Sequence, residues 1–476
     1  MADNGGRIRE SASRLFLEAL EERIAPAGNV VVVAADGNVT ITGDAAANDI
    51  VVDADGLAAN QLRISSGSDA TMINGSGDPL ILDGVTGDVR IALRAGNDEL
   101  LVRDAAFQEN LHIAAGIGWN DVAIASGVTV QGNLFIGAAN GAQEISVAGG
   151  VVGNTFIRHE GAGDTLISLG GSFGQNVRID LARGDDGLDM NGAAVVGNVH
   201  VIAGKGALRT GFDATAIGGN LKLWLGKGAS TVSIADSTVH GVLAVENGAG
   251  ADTFRAEDST FGTSVKMINV KGPSRVEFVD CQIGTDAVPG DLKNFTVLNG
   301  AGENILSVTG GHLVAKNVFV KSGVGGGSVT IDNADVAKHL AIEGGAGPLD
   351  VLVSDTTVAG ATTIALGAGA DTVALDGVHL NGALVIAAGK GADVVRLDAG
   401  GDPSGPSSIF DGRVLIATGA GHDEIYLGTA GEPGNSGVYG SIVVLNGGEG
   451  DDLADVQDNG NTFAVTPTYI GIETIS

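Results

Sequence analysis

The chain is short of most features that usually identify a protein. A single cysteine, Cys281, forms no internal disulfide, so cross-links contribute nothing to stability. Aromatic residues make up only 4%, with two Trp and three Tyr, too few to build a ready platform for stacking sugar rings. The 26 basic residues are outnumbered by 57 acidic ones, and a net charge of −31 excludes nucleic acid as a partner, because phosphate binding needs clustered Lys and Arg. No apolar run approaches the roughly 20 residues of a membrane span. The eight histidines are scattered singly, so no zinc site is expected. After residue 28 the 3.6-residue periodicity of an amphipathic helix is missing as well.

What is present is a beat. Asn110, Asn133, Asn154, Asn176, Asn198 and Asn220 each precede an apolar triplet, at intervals of 23, 21, 22, 22 and 22 residues. The triplets read Leu111-His112-Ile113, Leu134-Phe135-Ile136, Thr155-Phe156-Ile157 and so on, apolar outside and free in the middle, and they return at Val242, Val265, Val318, Leu340, Thr362, Leu384, Val414 and Ile442. A fixed period of about 22 residues over most of a chain marks a solenoid. Each rung holds two strands and a short third segment, as in Thr362 to Leu366, Thr372 to Leu375 and Val378 to Leu380, with a glycine-rich turn between the first two. Strands this short bury their inner faces only by stacking on equivalent strands of neighbouring rungs. The expected fold is all-β, a single-stranded parallel β-helix over residues 29–476, right-handed by the crossover rule. The six asparagines are expected to stack as an internal amide ladder at one corner, since Asn tolerates the left-handed region and amides bond from rung to rung. Later rungs place Ser264, Asp291, His339, Ala361 and Arg413 there, with Asn317 an isolated return.

The turn between the first two strands carries acid at Asp98, Asp164, Asp252, Asp371, Asp393, Asp423, Asp451 and Asp452. Several of these turns read Gly-x-Gly-x-Asp-x-aliphatic and resemble single turns of the RTX calcium-binding nonapeptide, although RTX β-rolls run such turns in tandem and here each rung has one. The resemblance implies Ca²⁺ as a ligand of these aspartates. Carboxylates repeated rung upon rung also repel, and hard oxygen donors suit Ca²⁺. The competing account makes each Asp a solvated turn former capping backbone amides.

Residues 1–28 form a separate segment, the only one with helical character. Leu20, Glu21, Arg23, Pro26 and Ala27 resemble the N-terminal motif of planctomycetal extracellular proteins, a Leu-Glu-x-Arg core followed by Pro-Ala, which implies an extracellular or cell-surface location. The same segment also reads as a helix capping the open end of the solenoid.

Polysaccharide lyases and hydrolases also use parallel β-helices, and Asp185-Asp186 resembles the acidic pair of the hydrolases, with a faint His-Gly likeness at His240. The two elements lie about two and a half rungs apart, and no Arg-Ile-Lys partner follows. The sequence reads as a non-catalytic, structural or adhesive surface rod, with surface-layer, matrix or polysaccharide material and further copies of itself as partners. A polysaccharide-acting enzyme is the alternative.

Overall fold

The computed structural model describes residues 28–67, 71–269, 271–284, 293–398, 407–428, 437–456 and 461–476. The export-like residues Leu20 to Ala27 lie outside them. Alternating inward and outward positions make strands of two to ten residues, generally three to a rung, as in Thr362–Ala368, Thr372–Asp376 and His379–Leu380. Each pairs in parallel with its equivalent one rung on: Thr362 with Leu384, Thr372 with Val394, His379 with Ile409. Three columns result, called here the first, second and third faces. The described chain is an all-β parallel solenoid of about 16 turns at a spacing of about 22 residues.

The N-terminal end departs from simple rungs. Asn29–Ala35 runs antiparallel to Asn38–Thr42, Asp49–Asp53 to Leu62–Ser66, and Leu62–Ser66 to Leu80–Leu82. These hairpins escape a sequence reading because parallel and antiparallel strands share the same two-residue side-chain period.

Inside the coil the core is a thin aliphatic column with few rings. Phe278 is fully buried and meets Phe254, Phe261 and Phe295 at centroid distances of 5.3, 5.7 and 5.7 Å. Near the C-terminus Phe410, Tyr439 and Phe463 stack in sequence at 4.9 and 4.7 Å. The turns between first and second faces stack so closely that side chains are excluded: at Gly421, where φ is +154°, an added Cβ would lie 1.5 Å from the carbonyl oxygen of Gly391. That approach explains the recurring Gly-x-Gly better than flexibility does.

The asparagines form a continuous chain along the corner entering the first face. Asn133 donates its backbone N–H and its Nδ2 to Asn110 Oδ1 at 2.9 and 3.0 Å; Asn154, Asn176, Asn198 and Asn220 repeat both bonds at 2.8 to 3.2 Å. Asn38 Oδ1 starts the chain by accepting Asp88 N–H at 2.9 Å, Asp88 Oδ1 accepts from Asn110, and Val242 ends it by donating its N–H to Asn220 Oδ1. The ladder is a surface feature, however, half-buried at Asn110 and exposed at Asn176 and Asn198. Each Asn precedes the first inward residue of its strand, so alternation turns its side chain out of the core. The internal amide ladder lies elsewhere, at the far end of the first face, where Asn247 Nδ2 donates to Asn269 and Asn269 Nδ2 to Asn299.

Register corrects three of the assignments. Leu243 and Val443, not Val242 and Ile442, are the first inward residues of their strands. Asp291 lies outside the described residues, and Asn294 holds the ladder position, accepting from Asn317 Nδ2 at 2.9 Å. Asn317 is thus not isolated.

Two substitutions separate the contributions. Phe278→Ala is expected to cost about 3–5 kcal/mol, since rigid rungs cannot close over the cavity. Asn176→Leu is expected to cost about 1 kcal/mol, because its exposed ladder bonds compete with water. Denaturant midpoints check both, and equal losses would show that the ladder bonds contribute as much as the core.

Candidate functional site

The corner between the first and second faces carries a second polar line, and this one faces inward. Asn48, Asp98, Asn120, Gln143, Thr165, Asp186, Ser230, Asp252, Ser274, Asn304, Asp371, Asp393, Asp423 and Asp452 are all buried on it. It exists because the first residue of each second-face strand points into the coil at a place where the chain has just turned and its amides face along the axis. The bonds run upward. Asn48 donates through its N–H and Nδ2 to Asp98 Oδ1, Asp98 N–H to Asn120 Oδ1, Thr165 N–H to Asp186 Oδ1, and Ser230 N–H to Asp252 Oδ1. Leu349, Asp371, Asp393 and Asp423 then donate their N–H groups to the Oδ1 of Asp371, Asp393, Asp423 and Asp452 at 2.8 to 2.9 Å, and Asp452 N–H donates to Glu473 Oε2 at 2.8 Å.

One oxygen of each C-terminal carboxylate is therefore used as an amide cap. The other is not: Oδ2 of Asp98, Asp371, Asp393, Asp423 and Asp452 is buried without a hydrogen-bond partner. Four such residues on consecutive rungs, between 0% and 2% exposed, place orphaned acceptors and like charges in a column. Burial, followed by the charges of Asp371 and Asp423 after its amide bond is counted, pushes Asp393 up to about 6. Burial likewise raises Asp98, Asp252, Asp371 and Asp452, and brings Asp186 to about 6. These acids cap backbone amides as the competing account expects, but they do so buried inside the coil and not solvated.

The other sequence candidates fall off this line. Asp164 and Asp451 sit one residue earlier in the turn and are exposed; Asp164 Oδ1 accepts Asp185 N–H at 2.9 Å, and Asp185 Oδ1 accepts Ala207 N–H at 3.0 Å, a short outer ladder of its own. Asp185 is exposed while Asp186 is buried, so the pair divides between the two sides of the wall. His240 is exposed at a different corner, in register with Gly218 and Gly262 beyond the third face. The structure does not bring these three residues together.

A third line of hydroxyls closes the corner before the third face, where Thr215 N–H donates to Ser237 Oγ and Ser237 N–H to Ser259 Oγ, each at 3.0 Å. Cys281 occupies the same column, its thiol donating to Val279 O, and burial pushes it up to about 11, the state of an inert packing residue. The residue preceding this line is commonly an Asp in the left-handed region, with φ of 48°, 49°, 52° and 45° at Asp236, Asp258, Asp280 and Asp355. Asp236, Asp258 and Asp280 follow one another at 22 residues.

Among the described residues no three His, Cys, Asp or Glu side chains converge on one point. A cation on the inner line would therefore take the free Oδ2 atoms and complete its shell with turn carbonyls and water. The orphaned oxygens are hard donors of the kind Ca²⁺ takes, one to each of these rungs.

The raised acids set a pH dependence. Their folded pKa lies above the unfolded value near 4, so the folded chain binds more protons than the unfolded one, and stability from this source is fully present below about pH 4 and is lost as pH rises through about 6. In chelator the thermal midpoint should rise on acidification from pH 7 to pH 5. Asp393→Asn, which fixes the neutral form, should flatten that rise. An unchanged slope would mean that Asp393 titrates as an ordinary carboxylate.

No family model, no curated protein and no solved structure matches this chain.

Proposed function

We propose that the chain is an extracellular, non-catalytic structural or adhesive rod whose inner carboxylate column binds Ca²⁺. The observation that carries the reading is the unpartnered Oδ2 on four successive buried aspartates, Asp371, Asp393, Asp423 and Asp452. A buried carboxylate oxygen without a donor is costly, and protonation or a cation relieves it. With Asp393 near 6 and like charges above and below it, neutral pH favours the cation. The resemblance of these turns to RTX turns points the same way, and the resemblance of Leu20, Glu21, Arg23, Pro26 and Ala27 to an export motif supports the extracellular location. The division of Asp185 and Asp186 between outside and inside supports the absence of catalysis.

Calcium should raise the thermal midpoint of the chelated protein by linkage, and Mg²⁺ should raise it less, because its tight octahedral shell is harder to complete from a stacked column. Changing Asp393, Asp423 and Asp452 together to Asn should remove most of the response and leave a folded rod, since the aliphatic core closes the coil. Equal midpoints in millimolar Ca²⁺ and in chelator would defeat the calcium reading. Incubated with acidic and neutral polysaccharides, the protein should release no reducing or unsaturated ends, and turnover lost on changing Asp185 or Asp186 would favour the enzyme instead.

A further inference from the structure

The outer surface of the first face is unlike the rest of this acidic rod. One outward row runs in register through His112, Phe135, Phe156, Arg178, His200 and Lys222. His112, Phe135 and Phe156 stack at 4.6 and 5.1 Å, so each inner ring face is covered by its neighbour. Beside that row lies the asparagine ladder, and the two enclose an open hollow of about 430 Å³ lined by Asn176, Arg178, Asn198, His200, Asn220 and Lys222. A second hollow of about 400 Å³ adjoins it across the strand Leu221–Trp224, lined by Trp224, Lys227, Glu246 and Lys271.

Charge decides what this surface fits. Arg178 is held by Asp180 at 3.0 Å, but Lys222, Lys227 and Lys271 are exposed and make no ion pair among the described residues. Lys205 and Lys227 also follow one another at the turn, their N–H groups donating to Ala182 O and Gly204 O of the rung below. Burial, and then Arg178 beside it, lower His200, so the lysines supply the positive charge. In a chain of net charge −31, unpaired cations gathered on one side of the wall oppose the general field and make that side complementary to an anionic occupant. The row of amides adds donors and acceptors suited to hydroxyl groups, and Trp224, 46% exposed, adds a ring for the apolar face of a sugar.

We propose that the first face between Asn154 and Lys271 binds an anionic polysaccharide, carboxylated or sulfated, laid along the rod axis. The proposal rests on the reading of the chain as an adhesive rod and names its partner. The evenly spaced rungs suit a repeating polymer, because Asn154, Asn176, Asn198 and Asn220 offer the same amide at each rung. A glycan is favoured over nucleic acid for two reasons. Duplex DNA carries one charge per roughly 1.7 Å, which the surrounding carboxylates repel. Single strands bind through successive open aromatic faces, whereas the phenylalanines here are stacked on one another and Trp224 stands outside that stack.

The test uses the full chain in chelator, so that calcium bridging plays no part, titrated at physiological salt with polygalacturonate, chondroitin sulfate, neutral dextran and poly(dT). Binding to one or both acidic glycans is expected, weaker at higher salt, with little binding to dextran or poly(dT). The double variant Lys222→Glu/Lys227→Glu should weaken it about tenfold or more, while Arg209→Glu, an exposed charge on the second face, should leave it unchanged. Matching thermal midpoints show that the variants are folded. No binding to either acidic glycan, equal binding by the double variant, or equal binding of poly(dT) would overturn the proposal. Release of new ends from a bound glycan would contradict the non-catalytic rod and leave the groove standing; absence of binding by an inert, calcium-responsive rod would do the reverse.

Discussion

The fold depends on one constraint: no rung can satisfy its own backbone. Beyond the N-terminal hairpins, strands of two to ten residues bond to the rungs above and below, and the corners between them must send their amides along the axis too. Three polar lines answer that need. Amides serve the corner before the first face, carboxylates and their polar substitutes the corner before the second, and hydroxyls the corner before the third. Each uses a side-chain oxygen to accept a main-chain N–H from an adjacent rung, so side chains continue the ladder where the strands leave off.

The choice of residue at each corner has different electrostatic consequences. An asparagine or serine that caps an amide is neutral and complete. An aspartate in the same position brings a charge and a second oxygen into the coil, and the structure offers that oxygen no donor at Asp371, Asp393, Asp423 or Asp452. The acidity of the chain is thus partly conformational, as at Asp236 and Asp258 where Asp supports a left-handed turn, and partly concentrated where it can recruit protons or cations. Against that background the unpaired lysines of the first face are the exception that gives one side of the rod a distinct chemistry.

The fold was legible because its period was carried by inward apolar residues, which tolerate little change: the triplets beginning Leu111 and Leu134 pair in register as the interval predicts. Where an apolar residue stood in the ladder position, as Val242 and Ile442 do, the pattern slipped by one, since Val and Ile are equally at home in either place. The hairpins at Asn29–Ala35 and Leu62–Ser66 left no periodic trace. At the candidate site the sequence marked the acidic turns but could not separate neighbours: Asp451 and Asp452 read alike, yet one is exposed and one is buried, because a single residue of register decides the side of the wall. The basic face was hidden for another reason. The 22-residue beat aligns Arg178, His200 and Lys222, but it does not show that the turn residues Lys227 and Lys271 gather beside that column.

The central claim is that the free Oδ2 atoms of the inner column hold a cation. Crystals grown with Ca²⁺ at neutral pH and refined to high resolution test it most directly. The account predicts density for ions beside Oδ2 of Asp371, Asp393, Asp423 and Asp452, at the 2.3–2.6 Å typical of calcium–oxygen contacts and completed by turn carbonyls and water. A column without ions, its carboxylates protonated or its free oxygens bonded only to water, would contradict it.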